Sequence, residues 1–406
     1  MRKLSPLAVL PLAFACIQPA SAELRVAVGS ADAQDTRRVI DYVRSHYDVQ
    51  LRHHLPRLSV ASFRLKNERQ LKRLRQDPAL AAISDYVSRV GIATVPEGEV
   101  PYQIEAPGQA IGGDDFSPND PDYSKQWPIP CLQADKGWDI IRGGDVIIAI
   151  IDTGVDHTHE DIAPNYNSAL DWDFVNDDDD AMDDYGHGTH VAGTASAVID
   201  NGIGIAGAFQ ATIMGVKVLN AQGSGYMDDV AAGIDHAVAN GAAAINMSLG
   251  GPTAGETLTR ACSAAYESNV LVVAAAGNSS VPIKNYPASL TSVIGVGALG
   301  GFFLGHCEKL AYFSSRGFGD DTIEGNVEVV APGKFVYAPW PGNSYSRLDG
   351  TSMASPHVAA LCAAYRAYLP HWTSEQIRHH IQANADPLGN EFGFGYGRAD
   401  FYPPLD

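Results

Sequence analysis

From residue 146 onward the chain alternates short, uninterrupted apolar runs with stretches of helical periodicity, and this alternation limits the possible folds most. Residues 146–151, 212–218, 243–247, 270–275, 292–296 and 327–330 read as strands. Residues 190–198, 228–239, 256–268, 353–368 and 374–383 read as helices. A strand that is apolar on both faces must be covered on both faces. Strands of that kind separated by helices therefore predict an α/β fold: a doubly wound, mostly parallel sheet between two helical layers. The only low-complexity tract is Asp177-Asp178-Asp179-Asp180.

The first third of the chain reads differently. Arg2 and Lys3 precede an apolar run to Ile17, and Ala20-Ser21-Ala22 follows with small residues. This is the pattern of a secretory signal over residues 1–22, cleaved after Ala22, and its Pro-broken run is too short to span a bilayer. Residues 23–95 read as βαββαβ, a small ferredoxin-like α+β unit with strands at 24–28, near Val49, at 58–65 and at 81–87, and helices at 33–45 and 67–75. Residues 96–120, rich in Pro, Gly and acids, read as a linker, and residues 121–406 form the larger unit.

Charge separates the same units. Residues 23–100 hold 13 Lys+Arg against 10 Asp+Glu, whereas residues 101–406 hold 13 against 37, within a net charge of -19 for the whole chain. So acidic a body is the wrong partner for nucleic acid, but it attracts a basic N-terminal unit. The expected protein is a monomer, exported to the periplasm or the medium and not membrane-bound once the signal is gone. Export permits disulfides, and Cys131, Cys262, Cys307 and Cys362 allow three pairings that the sequence leaves open.

In open parallel sheets, ligands gather beyond the carboxyl ends of the strands. Asp152, Ser248 and Asn278 follow three of the apolar runs, while His187 and Ser352 stand where helical patterns begin. Glycines flank each of them, which lets a substrate backbone approach closely. An Asp, a His and a Ser delivered to one sheet edge are the parts of a nucleophilic triad.

The local motifs add identity to this pattern. Ile151-Asp152-Thr153-Gly154-Val155-Asp156, His187-Gly188-Thr189-His190-Val191-Ala192-Gly193 and Gly350-Thr351-Ser352-Met353-Ala354-Ser355-Pro356-His357 closely resemble the three active-site signatures of the subtilase family. The resemblance runs from about residue 123 to 400. It implies a subtilisin-like fold and a serine endopeptidase of broad specificity, with Ser352 as nucleophile, His187 as general base and Asp152 orienting it. By the same resemblance Asn278, in Ala275-Ala276-Gly277-Asn278, donates to the oxyanion. Ser248, Leu249, Gly250 and Gly251, with Ala276 and Gly277, line the substrate.

The resemblance further implies structural calcium, held by the side chains of Asp161 and Asn201 and the carbonyls of Ile203 and Ile205, and no catalytic cofactor. A second acidic candidate is the Asp177–Asp180 run with Asp183. Residues 23–95 take the place of a propeptide that assists folding and then blocks the cleft, released by self-cleavage in the linker; Tyr286-Pro287 is expected to be cis. His190 and His357 read as packed residues, Met353 as core beside the nucleophile and Asp156 as a turn cap. Two other classes remain: an inactive relative that only binds, and a metal-dependent hydrolase using His187, His190 and the Asp run.

Overall fold

The computed structural model describes residues 23–96, 116–300, 306–317 and 327–402. The signal reading and most of the proposed linker lie outside the described residues.

The N-terminal unit is built from β1 (Leu24–Gly29), α1 (Ala33–His46), β2 (Gln50–Leu55), β3 (Val60–Leu65), α2 (Glu68–Arg75), a single turn α3 (Pro78–Ala81) and β4 (Tyr86–Arg89). Its antiparallel sheet has the order β2-β3-β1-β4. Asp32 caps α1 through the N–H groups of Gln34 and Asp35, and Val39, Ile40 and Val43 bury one face of the helix. The strand expected at residues 81–87 begins only at Tyr86. Asp77 caps the preceding turn and Pro78 opens it, so residues 78–81 coil instead.

The larger unit opens with two short helices, α4 (Pro128–Cys131) and α5 (Ala134–Ile140). Its sheet contains β6 (Gly143–Asp152), β7 (Trp172–Asp173), β8 (Gln210–Lys217), β10 (Ala244–Met247), β11 (Leu271–Ala275), β12 (Ile294–Leu299) and β13 (Val329–Pro332). The order is β13-β12-β11-β10-β6-β8-β7 and every pairing is parallel. From β6 the chain runs to the far edge at β7, returns to β8 beside β6, then crosses to β10 and winds outward to β13. Strands lie on both sides of β6, and the sheet is doubly wound as expected.

Alternate residues of one strand serve opposite layers. Ile148 and Ile150 pack with α6 (His187–Ser196) and α9 (Thr351–Tyr368), while Ala149 and Ile151 face α7 (Met227–Ala239) and α8 (Gly255–Glu267). Truncating a core residue such as Ile150 to Ala would cost about 2–5 kcal/mol. The N-terminal sheet lies against α7 and α8, adding Ala27, Leu55, Leu58 and Val60 to the same apolar cluster.

Five strands were not visible in the sequence, the two-residue β7 and four more. A hairpin of β14 (Val336–Trp340) and β15 (Ser344–Leu348) packs on α6. Two short segments, β5 (Ile92–Thr94) and β9 (Ser224–Tyr226), pair antiparallel between the two units. Asp120, the last residue of the proposed linker, is buried and accepts from the N–H groups of Asp200 and Asn201. Cys131 and Cys307 form a disulfide, while Cys262 and Cys362 are buried thiols. Tyr286-Pro287 is cis.

Candidate active site

Asp152 ends β6 with its side chain fully buried. Its Oδ1 accepts the Thr153 N–H at 2.7 Å and lies 2.7 Å from His187 Nδ1. His187 is the first residue of α6, which starts directly over this strand end. Gly188 makes the approach possible: a Cβ there would meet the Gly154 carbonyl oxygen at 2.0 Å.

Two residues that the motifs did not single out hold this junction. Asp183 accepts five hydrogen bonds: from the Thr153 hydroxyl and the N–H groups of Tyr185 and Gly186 through Oδ1, and from the N–H and hydroxyl of Thr189 through Oδ2. Its carboxylate is committed to the start of α6, so Asp183 belongs to the His187 scaffold and not to a second cation site. Lys217 is buried at the end of β8, and its ammonium donates to the carbonyls of Thr153 (2.7 Å) and Leu219 (2.8 Å) and to Asp184 (2.7 Å). A buried ammonium needs such acceptors, and here they fix the loop after Asp152.

Ser352 lies in the first turn of α9, at the positive end of the helix dipole. Its hydroxyl donates to the Ser248 carbonyl at 3.1 Å, and the Ser248 hydroxyl donates back to the Ser352 carbonyl at 2.8 Å. Asn246 Nδ2 in turn donates to Ser248 Oγ. Asn278 Oδ1 accepts the N–H of Thr351 at 2.9 Å and its hydroxyl at 3.0 Å, which sets the amide with Nδ2 as its donor end.

The cleft has two edges. Thr94 and Gly250 exchange N–H···O bonds of 3.0 Å, and the Val95 N–H donates to the Gly223 carbonyl at 2.9 Å. Residues 92–95 therefore lie as a middle strand between β9 and Gly250. Gly250 and Gly251 were expected here, whereas the opposite edge, Gly223-Ser224-Gly225, was missed although glycines after a strand were its signal. Asn285 closes the floor. Its Nδ2 donates to the Ala275 carbonyl, and a Cβ on Gly250 would come within 2.3 Å of it. Leu249 and Ala276 are fully buried behind the cleft, and Gly277 donates its N–H to Thr351 Oγ1.

The other titratable groups are structural. His190 Nε2 faces the carbonyls of Val336 and Ser346, and burial pushes its imidazole down to about 3. Burial likewise brings His357 down to about 4. Asp156 caps the turn through Thr158 and accepts the Gly342 N–H. Met353 is core.

Asp161 is fully buried, and burial pushes its carboxyl up to about 7 against hydrogen bonds from the Ile205 N–H, Asn201 Nδ2 and the Tyr345 hydroxyl. The nearby Asp120 adds to the rise. Among the described residues no Lys or Arg pairs with it, so this buried carboxylate beside Asp120 fits a cation such as Ca²⁺, which would take the place of donors that now face it. Asn201 turns its amide nitrogen toward Asp161, while its oxygen accepts from Ile203; lending that oxygen to a cation requires the amide to turn over.

A basic face of the N-terminal unit covers two acids of α7. Arg25 Nη1 lies 3.0 Å from Asp228 and 2.9 Å from Asp229, Ser62 donates to Asp228, and His53 Nε2 is 2.7 Å from Asp229. Burial and the charge of Asp229 raise the Asp228 carboxyl, opposed by Arg25 and His53.

Comparison with known proteins agrees with this geometry. Residues 143–397 match the model of the subtilase family. The chain is 40% identical over 278 residues to subtilisin DY of Bacillus licheniformis, covering 66% of this chain and 94% of that one. Against thermitase of Thermoactinomyces vulgaris it is 38% identical over 290 residues, covering 71% and 98%. Fervidolysin of Fervidobacterium pennivorans, a keratinolytic enzyme related to subtilisin, superposes with a TM-score of 0.76 at 26% identity; the match covers 94% of this chain and 60% of fervidolysin. The chain belongs to the subtilase family and is a subtilisin-like serine endopeptidase.

Proposed function

We propose that Ser352 is the nucleophile of an endopeptidase that is made as a precursor, exported and activated by self-cleavage. Ser352 Oγ attacks the substrate carbonyl carbon, and His187 Nε2 takes its proton and returns it to the leaving amine. Asp152 fixes the tautomer through Nδ1 and stabilises the imidazolium. Asn278 Nδ2 and the Ser352 N–H at the start of α9 receive the oxyanion; one such donor is worth on the order of 100–1000-fold in turnover. Water then releases the acyl group by the same path in reverse.

Substrate adds as a strand between residues 223–225 and 248–251, read mostly through its backbone, which gives broad specificity. Residues 23–95 form the inhibitory propeptide and residues 1–22 the export signal. Calcium at Asp161, Asn201 and the carbonyls of Ile203 and Ile205 supplies charge balance and rigidity, and takes no part in the chemistry. The mature enzyme acts as a monomer on proteins and peptides. The observation that carries this reading is the 2.7 Å Asp152–His187 bond beside a cleft already filled by the chain's own residues 92–95.

The test is expression of wild type and Ser352→Ala, with mass analysis of the products and a casein assay. Wild type should shorten and digest casein, and the variant should do neither. Digestion by both forms would remove Ser352 from the mechanism.

A further inference from the structure

The register of the strand in the cleft has a specific consequence for self-cleavage. Thr94 and Gly250 exchange both backbone bonds, so the same antiparallel register carried two residues further would set residue 96 opposite Ser248. Ser248 is the residue whose carbonyl accepts the hydroxyl of Ser352. A residue bound productively at this position would donate its N–H to that carbonyl and leave the hydroxyl to the imidazole. Position 96 is Pro, which has no N–H to give.

We propose that Pro96 is the residue that decides self-cleavage: it holds residues 92–96 in the cleft as an inhibitor while suppressing hydrolysis of the bond that follows it. This rests on the reading of Ser352 as nucleophile. Cutting that bond requires Ser352 Oγ to attack the carbonyl carbon of residue 96, its proton passing to His187 and then to the amine of the following residue. Water completes the hydrolysis of the acyl-enzyme. With Pro at position 96 the Ser248 carbonyl receives no bond from the bound strand and remains the acceptor for Ser352 Oγ, 3.1 Å away. The nucleophile's proton is thereby directed away from the base. The ring also fixes the backbone at φ near −65°, so the strand cannot adjust to restore the geometry.

One missing hydrogen bond of this kind is worth roughly tenfold in rate. The experiment follows the full-length precursor by intact mass and N-terminal sequencing after refolding, comparing wild type, Pro96→Ala and Pro96→Ala in the Ser352→Ala background. Pro96→Ala restores the N–H, and cleavage after residue 96 should rise at least about tenfold over wild type. The double variant should stay intact. Circular dichroism shows that all three forms fold, and casein hydrolysis shows that wild type and Pro96→Ala mature to active enzyme. Wild type cut after Pro96 as fast as the Ala variant overturns the proposal, as does an Ala variant that folds and digests casein yet is cut there no faster. Cleavage that persists in the double variant refutes the Ser352 reading instead, so the two failures are distinguishable.

Discussion

Asp183 Oδ1 accepts the hydroxyl of Thr153 at 2.9 Å, and this contact ties the end of the strand bearing Asp152 to the turn from which His187 springs. The same carboxylate takes the N–H groups of Tyr185, Gly186 and Thr189. Asp183→Ala should leave these donors unpaired and let His187 drift from Asp152. A displacement of this kind costs on the order of 100-fold in turnover. We expect kcat to fall by about that factor with KM changed little, and Asp183→Asn, which keeps the shape, to recover part of it. Steady-state kinetics on a peptide substrate decide; a loss confined to KM would contradict the positioning role.

Arg25 bridges Asp228 and Asp229 in a buried setting. Removing one partner of such a cluster costs about 3–5 kcal/mol, because the remaining charges are left uncompensated. Arg25→Ala should loosen the N-terminal unit and give the unprocessed precursor measurable activity on a small peptide substrate from the first minute, where wild type shows a lag. Identical lags would mean that the interface is held by its apolar contacts.

His190 and His357 are held neutral, at about 3 and about 4, whereas each titrates near 6.5 once unfolded. Their folded values are lowered, so the unfolded chain binds more protons between pH 4 and 6.5. Stability should therefore be level above about pH 6.5 and fall by up to about 1.4 kcal/mol per pH unit for each histidine below it. Urea midpoints of Ser352→Ala, which avoids autolysis, would show this slope. His357→Leu should make it shallower, and an unchanged slope in that variant would exclude His357 as a contributor.

A cation beside Asp161 stabilises the fold in proportion to its binding. At about 100 times the dissociation constant the gain is roughly 2.7 kcal/mol, or about 5–10 °C in melting temperature. Thermal melts of Ser352→Ala in calcium and in EDTA should differ by that much, and Asp161→Asn should abolish the difference. Equal melts for the parent would dismiss the site.

The sequence was most legible where one residue's neighbours along the chain decide its state. Continuous apolar runs marked six strands of the large sheet to within a few residues, because burial on both faces removes the alternation that a half-exposed strand shows. The helix expected at residues 190–198 instead spans His187–Ser196, because its start is set by Gly186 and by Asp183, three residues before that glycine. The β14–β15 hairpin and the pairing of β5 with β9 were missed for a different reason. Their polar, Gly- and Ser-containing segments become strands only when a partner supplies the other half of the ladder.

The sequence by itself determined the doubly wound parallel sheet, the family and the identities of Asp152, His187, Asn278 and Ser352, because glycine-flanked motifs and apolar periodicity are local properties. Only the tertiary structure decided that Cys131 pairs with Cys307, that Asp183 and Lys217 brace the strand end, that Arg25 meets Asp228, and that Thr94 pairs with Gly250. Those relationships join residues as many as 203 positions apart in the chain. They exist only after the apolar faces of the elements have packed together, and no local pattern encodes which distant groups that packing brings within a hydrogen bond.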